Sequence, residues 1–100
     1  MSVVFVCDMT TIPVAERAAH HAMTRHVIAA ATAIRELSDG FVFELSVGEY
    51  DAVARFVAKE RLCCPFLTFV ITARADQPRV ELRIAGPSGA KEFIRAELRL

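Results

Sequence analysis

Apolar and polar residues recur along the chain at spacings that predict helices and short strands in turn. Between Ala15 and Ala30 the apolar positions repeat every three or four residues. Pro13 precedes them and suits the first turn of a helix. This pattern predicts a first helix that ends near residues 31–33. The short apolar run at residues 3–6 predicts an additional small strand before the helix.

The middle of the chain is typical of a hairpin followed by a helix. Residues 34–37 and 41–47 predict two strands, and the Asp39-Gly40 pair between them favours a tight turn. Gly48 ends the second strand. Residues 49–62 have an apolar stripe at helical spacing, and Pro65 limits any continuation of that helix.

The last third of the chain repeats this order. Residues 66–73 and 80–84 predict strands on either side of a turn at residues 76–78, and a final helix follows Gly86. A shift of 37 positions aligns the two halves without a gap. It gives six identities, among them Ile34 with Ile71 and Glu44 with Glu81. A duplicated hairpin–helix unit explains this pattern, because neither unit buries its apolar face alone.

The order of elements predicts a single α+β domain over residues 1–100. Its four-stranded antiparallel sheet combines the two hairpin–helix units, and the N-terminal helix packs on the same face. With the extra strand, a ferredoxin-like split βαβ arrangement is the alternative. In the main predicted arrangement the helices leave one sheet face uncovered, and three apolar residues would mark that face as a homodimer interface: Ile34, Val42 and Val70.

Composition narrows the classes of function. Hydrophobic residues make up 54% of the 100 residues and charged residues 24%, which excludes intrinsic disorder. Twelve basic residues balance twelve acidic ones, so a general nucleic-acid binder is disfavoured. No apolar run approaches the length of a membrane span. The N-terminus lacks the basic region and long apolar core of a signal peptide, which favours a cytoplasmic protein.

The candidate chemistry lies around two adjacent cysteines at the end of the second predicted helix. Cys63 and Cys64 precede Pro65, and Glu60 lies one helical turn before Cys64 on a side that otherwise faces inward. A buried carboxylate must be paired, hydrogen-bonded, metal-bound or protonated. Cys7 is the third cysteine, and an odd number of cysteines argues against a secreted disulfide scaffold.

Three interpretations of these residues remain open. The cysteines are small core residues with Glu60 paired to an arginine, or they bind a soft metal ion, or they perform redox or nucleophilic chemistry. Metal binding requires Cys7 to reach Cys63 and Cys64, because two adjacent cysteines rarely complete a tetrahedral site alone. Glu60 or His20 would then complete the set of ligands. In the nucleophilic alternative, Glu60 or His20 activates Cys63 or Cys64.

The segment Glu60-Arg-Leu-Cys-Cys-Pro-Phe-Leu67 resembles the E-R-x-C-C-P-F signature of a family of small, largely uncharacterised bacterial proteins. Cys7-Asp8 near the start and the segment 82–93 also resemble that family, so the resemblance covers nearly the whole chain. Such proteins are associated with metal- and mercury-resistance gene neighbourhoods. The resemblance implies that Cys7, Glu60, Cys63 and Cys64 belong to the family pattern.

Together these observations predict a cytoplasmic thiol site for a soft heavy-metal ion such as Cu(I), Zn(II) or Hg(II), in an accessory to metal resistance. The predicted ligands are Cys7, Cys63 and Cys64, with Glu60 and His20 in support. The alternatives are a thiol-based redox or nucleophilic enzyme, and an interaction module whose cysteines only pack.

Overall fold

The computed structural model describes residues 5–100. After a 3₁₀ turn at Met9–Thr11, the chain forms three helices and four strands, close to the predicted bounds. The helices are α1 (Val14–Ala30), α2 (Tyr50–Cys63) and α3 (Ala90–Glu97), and the strands are β1 (Ala33–Glu36), β2 (Gly40–Ser46), β3 (Thr68–Ala73) and β4 (Arg79–Ala85).

The four strands form one antiparallel sheet in the order β1-β2-β4-β3, which confirms the predicted α+β class. The second strands of the two hairpins pair at the centre. Glu44 lies directly opposite Glu81, so these two residues, equivalent under the 37-residue shift, meet on the axis that relates the hairpins. Arg35 lies 3.4 Å from Glu81 and 3.9 Å from Glu44, and its charge offsets the repulsion between two carboxylates across a strand pair.

The ferredoxin-like alternative is not formed by the described residues. In that arrangement the N-terminal strand would lie between β2 and β3, and β4 occupies this position instead. Of the predicted extra strand, residues 3 and 4 lie outside the described part of the chain. Phe5 and Val6 are described and belong to no strand.

The three helices cover one face of the sheet and close a single main core. Inward side chains of the two central strands, such as Phe43 and Leu82, are fully buried there. Val27 from α1, Phe56 from α2 and Ile94 from α3 belong to the same cluster. This cluster fixes where the ends of α2 and α3 lie, and both ends contribute to the site described below.

The opposite face of the sheet differs from the predicted apolar surface. Ile34 was expected on this face, and that prediction is wrong: Ile34 pairs with Phe43 and therefore points to the helix side of an edge strand. Val42 and Val70 do flank Arg83 on the open face, where Val42 is 6% exposed and Val70 is 44% exposed. The charged residues of β4 interrupt any continuous apolar patch there.

Candidate metal and thiol site

A backbone hydrogen bond brings the N-terminal segment to the end of α2. The N–H of Asp8 donates to the carbonyl oxygen of Cys63 at 2.9 Å. The Asp8 carboxylate also accepts the backbone N–H of Thr10 and so fixes the 3₁₀ turn that follows. Ile12, which is fully buried, packs with Cys63 and Cys64 in a small second core. Contacts of the residues that directly follow Cys7 therefore hold it against the helix end.

The helix end itself places the two adjacent sulfurs. Cys63 is the last residue of α2, and Cys64 caps the helix with its N–H still bonded to the Glu60 carbonyl at 2.8 Å. Pro65 has no N–H to continue this pattern, and its ring disfavours a helical conformation at Cys64. The backbone of Cys64 leaves the helical region at φ −124° and ψ 67°. This change lets neighbouring residues turn their side chains towards the same point.

The three sulfurs and one carboxylate form a compact cluster. Cys7 Sγ lies 3.0 Å from Cys63 Sγ and 3.3 Å from Cys64 Sγ. The two adjacent sulfurs are 3.9 Å apart, and Cys64 Sγ lies 3.4 Å from Glu60 Oε1. One ligand atom from each of these four residues lies within 4.8 Å of all the others. The predicted convergence of Cys7 with Cys63 and Cys64 is confirmed.

His20 lies next to Glu60 at the edge of the cluster. Its Nε2 is 2.7 Å from Glu60 Oε2, the carboxylate oxygen that faces away from Cys64, and its ring stacks on Phe56. Both members of this pair are buried, His20 at 5% and Glu60 at 6% exposure. The buried Nδ1 of His20 has no hydrogen-bond partner among the described residues. His20 therefore orients Glu60 and is not one of the four clustered ligands.

Electrostatics separates the three thiols. Hydrogen bonds from Cys63 and Cys64 stabilise the Cys7 thiolate and lower the pKa of Cys7 to about 3. A hydrogen bond from Cys64 favours the Cys63 thiolate, but donation to Cys7, burial and the Glu60 charge outweigh it and raise the pKa of Cys63 to about 12. Donation to Cys63, donation to Cys7 and burial also raise the pKa of Cys64.

These shifts in pKa change which of the three cysteines is the best candidate for a nucleophile. The nucleophilic alternative assigned that role to Cys63 or Cys64, yet both are fully buried and hold their protons tightly. The thiolate is the reactive form of cysteine, and it forms most readily at Cys7, which is half-buried. In the apo protein the cluster is thus one thiolate with two thiol donors.

The site opens into a cleft of about 580 Å³ between α1 and the end of α3. Cys7, His20 and Glu60 line it, whereas the sulfurs of Cys63 and Cys64 lie behind them. Burial, followed by the nearby Cys7 charge, raises the pKa of Glu97 at this cleft. Access to the cluster from solvent is therefore by way of Cys7.

Sequence reasoning missed the contribution of α3 to this cleft. Its last turn supplies Glu97 and the following Arg99, and α1 adds His21 and Arg25. The apolar spacing of Ile94 and Leu98 indicates which side of α3 is buried. No signal in the sequence indicates that the end of this helix lies beside Cys7.

Comparison of the chain with protein-family models, with curated proteins and with solved structures finds no significant match. Within residues 5–100, the helices are too short or too polar to cross a membrane.

Proposed function

We propose that this protein binds one soft, thiophilic metal ion through Cys7, Cys63 and Cys64, with Glu60 as an oxygen ligand or as the base that accepts a thiol proton. The observation that carries the proposal is the meeting of four ligand atoms from two distant segments within 4.8 Å. Hg(II), Cu(I) and Zn(II) are the ions that such a thiolate-rich set favours.

The sulfur spacing fits a single ion. A tetrahedral ion with zinc–sulfur bonds of about 2.3 Å holds its sulfurs roughly 3.8 Å apart. The observed separations of 3.0, 3.3 and 3.9 Å require the Cys7 sulfur to move outward by less than an atomic diameter. Cys7 lines the cleft, whereas Cys63 and Cys64 are fully buried, so the Cys7 sulfur is the one with room to move.

Proton release accompanies binding in this proposal. Cys7 is a thiolate before the ion arrives, while Cys63 and Cys64 must each lose a proton to become ligands. The Glu60 carboxylate lies 3.4 Å from Cys64 Sγ and is itself held by His20. This arrangement gives the leaving proton an acceptor within the site.

The polar surroundings favour this function over purely structural cysteines. Buried cysteines that only pack lie among apolar side chains. Here a carboxylate and an imidazole are buried beside them, at a cost in desolvation that packing does not explain. Residues 60–67 resemble a largely uncharacterised family that is associated with metal-resistance gene neighbourhoods, and this resemblance supports a role as a cytoplasmic accessory to heavy-metal resistance.

A second candidate function is thiol–disulfide exchange, and the 3.0 Å approach of Cys7 and Cys63 favours it. The Cys7 thiolate would attack an incoming disulfide and release one thiolate. Cys63 would then lose its proton, displace the second half and leave a Cys7–Cys63 disulfide, so that the incoming disulfide is reduced as the pair is oxidised.

The experiment that tests the proposal is a titration of the reduced protein with Hg(II), Cu(I) and Zn(II), with free thiols counted after each addition. We expect one equivalent of at least one ion to protect Cys7 together with Cys63 or Cys64. Glu60→Gln should weaken binding. Glu49→Gln is the matched control, because Glu49 also pairs with an α1 histidine, His26, but far from the sulfurs.

Two outcomes would decide between the functions. If none of the three ions changes the accessibility of the thiols relative to the ion-free protein, metal binding is excluded. If oxidised 2-mercaptoethanol removes two thiols from the protein while no ion is retained, the exchange function replaces it.

A further inference from the structure

The cleft beside the cluster is larger than a bare ion requires. Its volume of about 580 Å³ lies within the range of small-molecule sites, roughly 300–1,000 Å³. Cys7 is the only one of the three cysteines that lines it. An ion that reaches Cys63 and Cys64 from this side therefore first meets the Cys7 sulfur, together with any ligands the ion still carries.

Two arginines flank this approach. Arg25 projects from α1 and Arg99 follows α3, and both line the cleft. Neither forms an ion pair with any residue in the described range 5–100, whereas Arg95, just before Arg99, is paired with Glu36. Their charges face a cleft that also holds the acidic groups of Cys7, Glu60 and Glu97.

The backbone of Arg99 is a second, independent observation. At φ 55° it is the one non-glycine residue of residues 5–100 in the left-handed region. The N–H groups of Arg99 and Leu100 bond back to the carbonyls of Ala96 and Arg95, which is the helix-ending motif that normally contains glycine at this position. A long charged side chain here is unfavourable for the backbone and is directed to the wall of the cleft, which points to a role in binding.

We infer that the cleft receives the metal ion as an anionic complex with small thiols that bear carboxylates, and that Arg25 and Arg99 bind those carboxylates. This inference rests on the proposed metal function and names the form in which the ion arrives. In such a complex the soft metal centre bonds to Cys7, and the carboxylates bind the guanidinium groups of the two arginines. Guanidinium groups bind carboxylates through paired hydrogen bonds.

The transfer needs no oxidant or reductant. The Cys7 thiolate bonds to the metal of a bis-thiolate complex, and one small thiolate leaves. Cys64 or Cys63 then bonds to the metal as its sulfur loses a proton, and the second small thiolate takes that proton and leaves as a thiol. The remaining cysteine joins as the third sulfur ligand once its proton has passed to the Glu60 carboxylate, and the oxidation state of the ion is unchanged.

The test compares three Hg(II) bis-thiolate complexes that differ in charge: those of thioglycolate, 2-mercaptoethanol and cysteamine. Stopped-flow absorbance follows the formation of protein–mercury bonds. We expect the wild-type protein to take Hg(II) fastest from the thioglycolate complex. The double variant Arg25→Gln/Arg99→Gln should be slower with that complex by roughly fivefold, with little change for the 2-mercaptoethanol complex. Added salt should reduce the difference.

Two further variants separate binding from folding. Arg79→Gln removes a positive charge from the open face of the sheet and should leave all three rates unchanged. Arg99→Gly suits the left-handed backbone, so it should raise the thermal midpoint and still slow uptake from the thioglycolate complex. A purely structural arginine would not give that combination.

The outcomes distinguish the inference about the anionic complex from the proposed metal binding itself. Equal slowing by Arg79→Gln, or rates in the wild-type protein that do not depend on the charge of the complex, would overturn the inference while Hg(II) binding itself remained. Failure to retain Hg(II) alone would overturn the inference, and failure to retain Hg(II), Cu(I) or Zn(II) from any complex or simple salt would overturn the proposed function as well.

Discussion

The sulfur of Cys7 lies 3.0 Å from the sulfur of Cys63, although 56 positions separate the two residues in the chain. The Asp8 N–H bond to the Cys63 carbonyl holds the two segments together. One of these residues is half-buried at a cleft and the other is fully buried. The contact therefore joins an accessible thiolate to interior thiols.

The first prediction concerns the pH dependence of Cys7 alkylation in the apo protein. With its pKa lowered to about 3, Cys7 is already a thiolate throughout pH 5–8. Iodoacetamide labelling, followed by peptide mass spectrometry, should give a rate for Cys7 that is nearly constant over this range. An ordinary thiol would gain roughly tenfold per pH unit.

The control for this prediction removes the two hydrogen-bond donors. In the double variant Cys63→Ala/Cys64→Ala, the Cys7 pKa should rise towards its ordinary value, and labelling should again depend on pH. A steep pH dependence in the wild-type protein would show that the neighbouring thiols do not stabilise the Cys7 thiolate.

The second prediction compares two histidine–glutamate pairs. One joins His20 of α1 to Glu60 of α2, and the other joins His26 of α1 to Glu49, the residue just before α2. Glu60→Ala leaves the buried His20 ring without its partner and should lower the free energy of unfolding by about 3 kcal/mol. Glu49→Ala breaks the His26 pair, whose side chains are 53% and 29% exposed, and should cost less than about 1 kcal/mol. Urea unfolding measures both. Equal losses would contradict a buried, structurally important pair.

The sequence predicts the features of the fold that depend on neighbouring residues better than those that depend on contacts between distant segments. Local periodicity places every helix and strand of the described chain within about three residues, because helix and strand spacing are properties of short segments. The inward position of Glu60 follows from its apolar neighbours in the same helix. The pairing of β2 with β4 and the face of the sheet on which Ile34 lies depend on the whole sheet, which local spacing does not determine.

The same distinction between local and long-range features applies to the candidate site. Residue type and proximity to Pro65 single out Cys63 and Cys64, and the choice of Cys7 as their partner follows from chemistry alone. The thiolate character of Cys7 and the presence of Arg99 depend on distances between separate elements. No pattern within one segment carries that information.

The third prediction tests the close approach of the two central strands. A Cβ atom on Gly40 would lie 1.9 Å from the carbonyl oxygen of Ile84 and 2.7 Å from the Cα of Ala85, both backbone atoms. Gly40→Ala should therefore lower the free energy of unfolding by roughly 2 kcal/mol or more.

Gly48→Ala is the matched control, since its Cβ would meet only Ser46 Oγ at 3.7 Å. Its effect should stay within about 1 kcal/mol in either direction. If thermal or urea unfolding gives the two variants the same stability, then β2 and β4 do not approach each other as described.

The central claim is that one metal ion binds Cys7 together with Cys63 and Cys64. X-ray absorption at the mercury edge of a 1:1 Hg(II) complex measures this directly. The account predicts three sulfur ligands in the wild-type protein and two in Cys7→Ser, with the third position taken by a lighter atom. The same sulfur count in both proteins would contradict it, because Cys7 would then take no part in holding the ion.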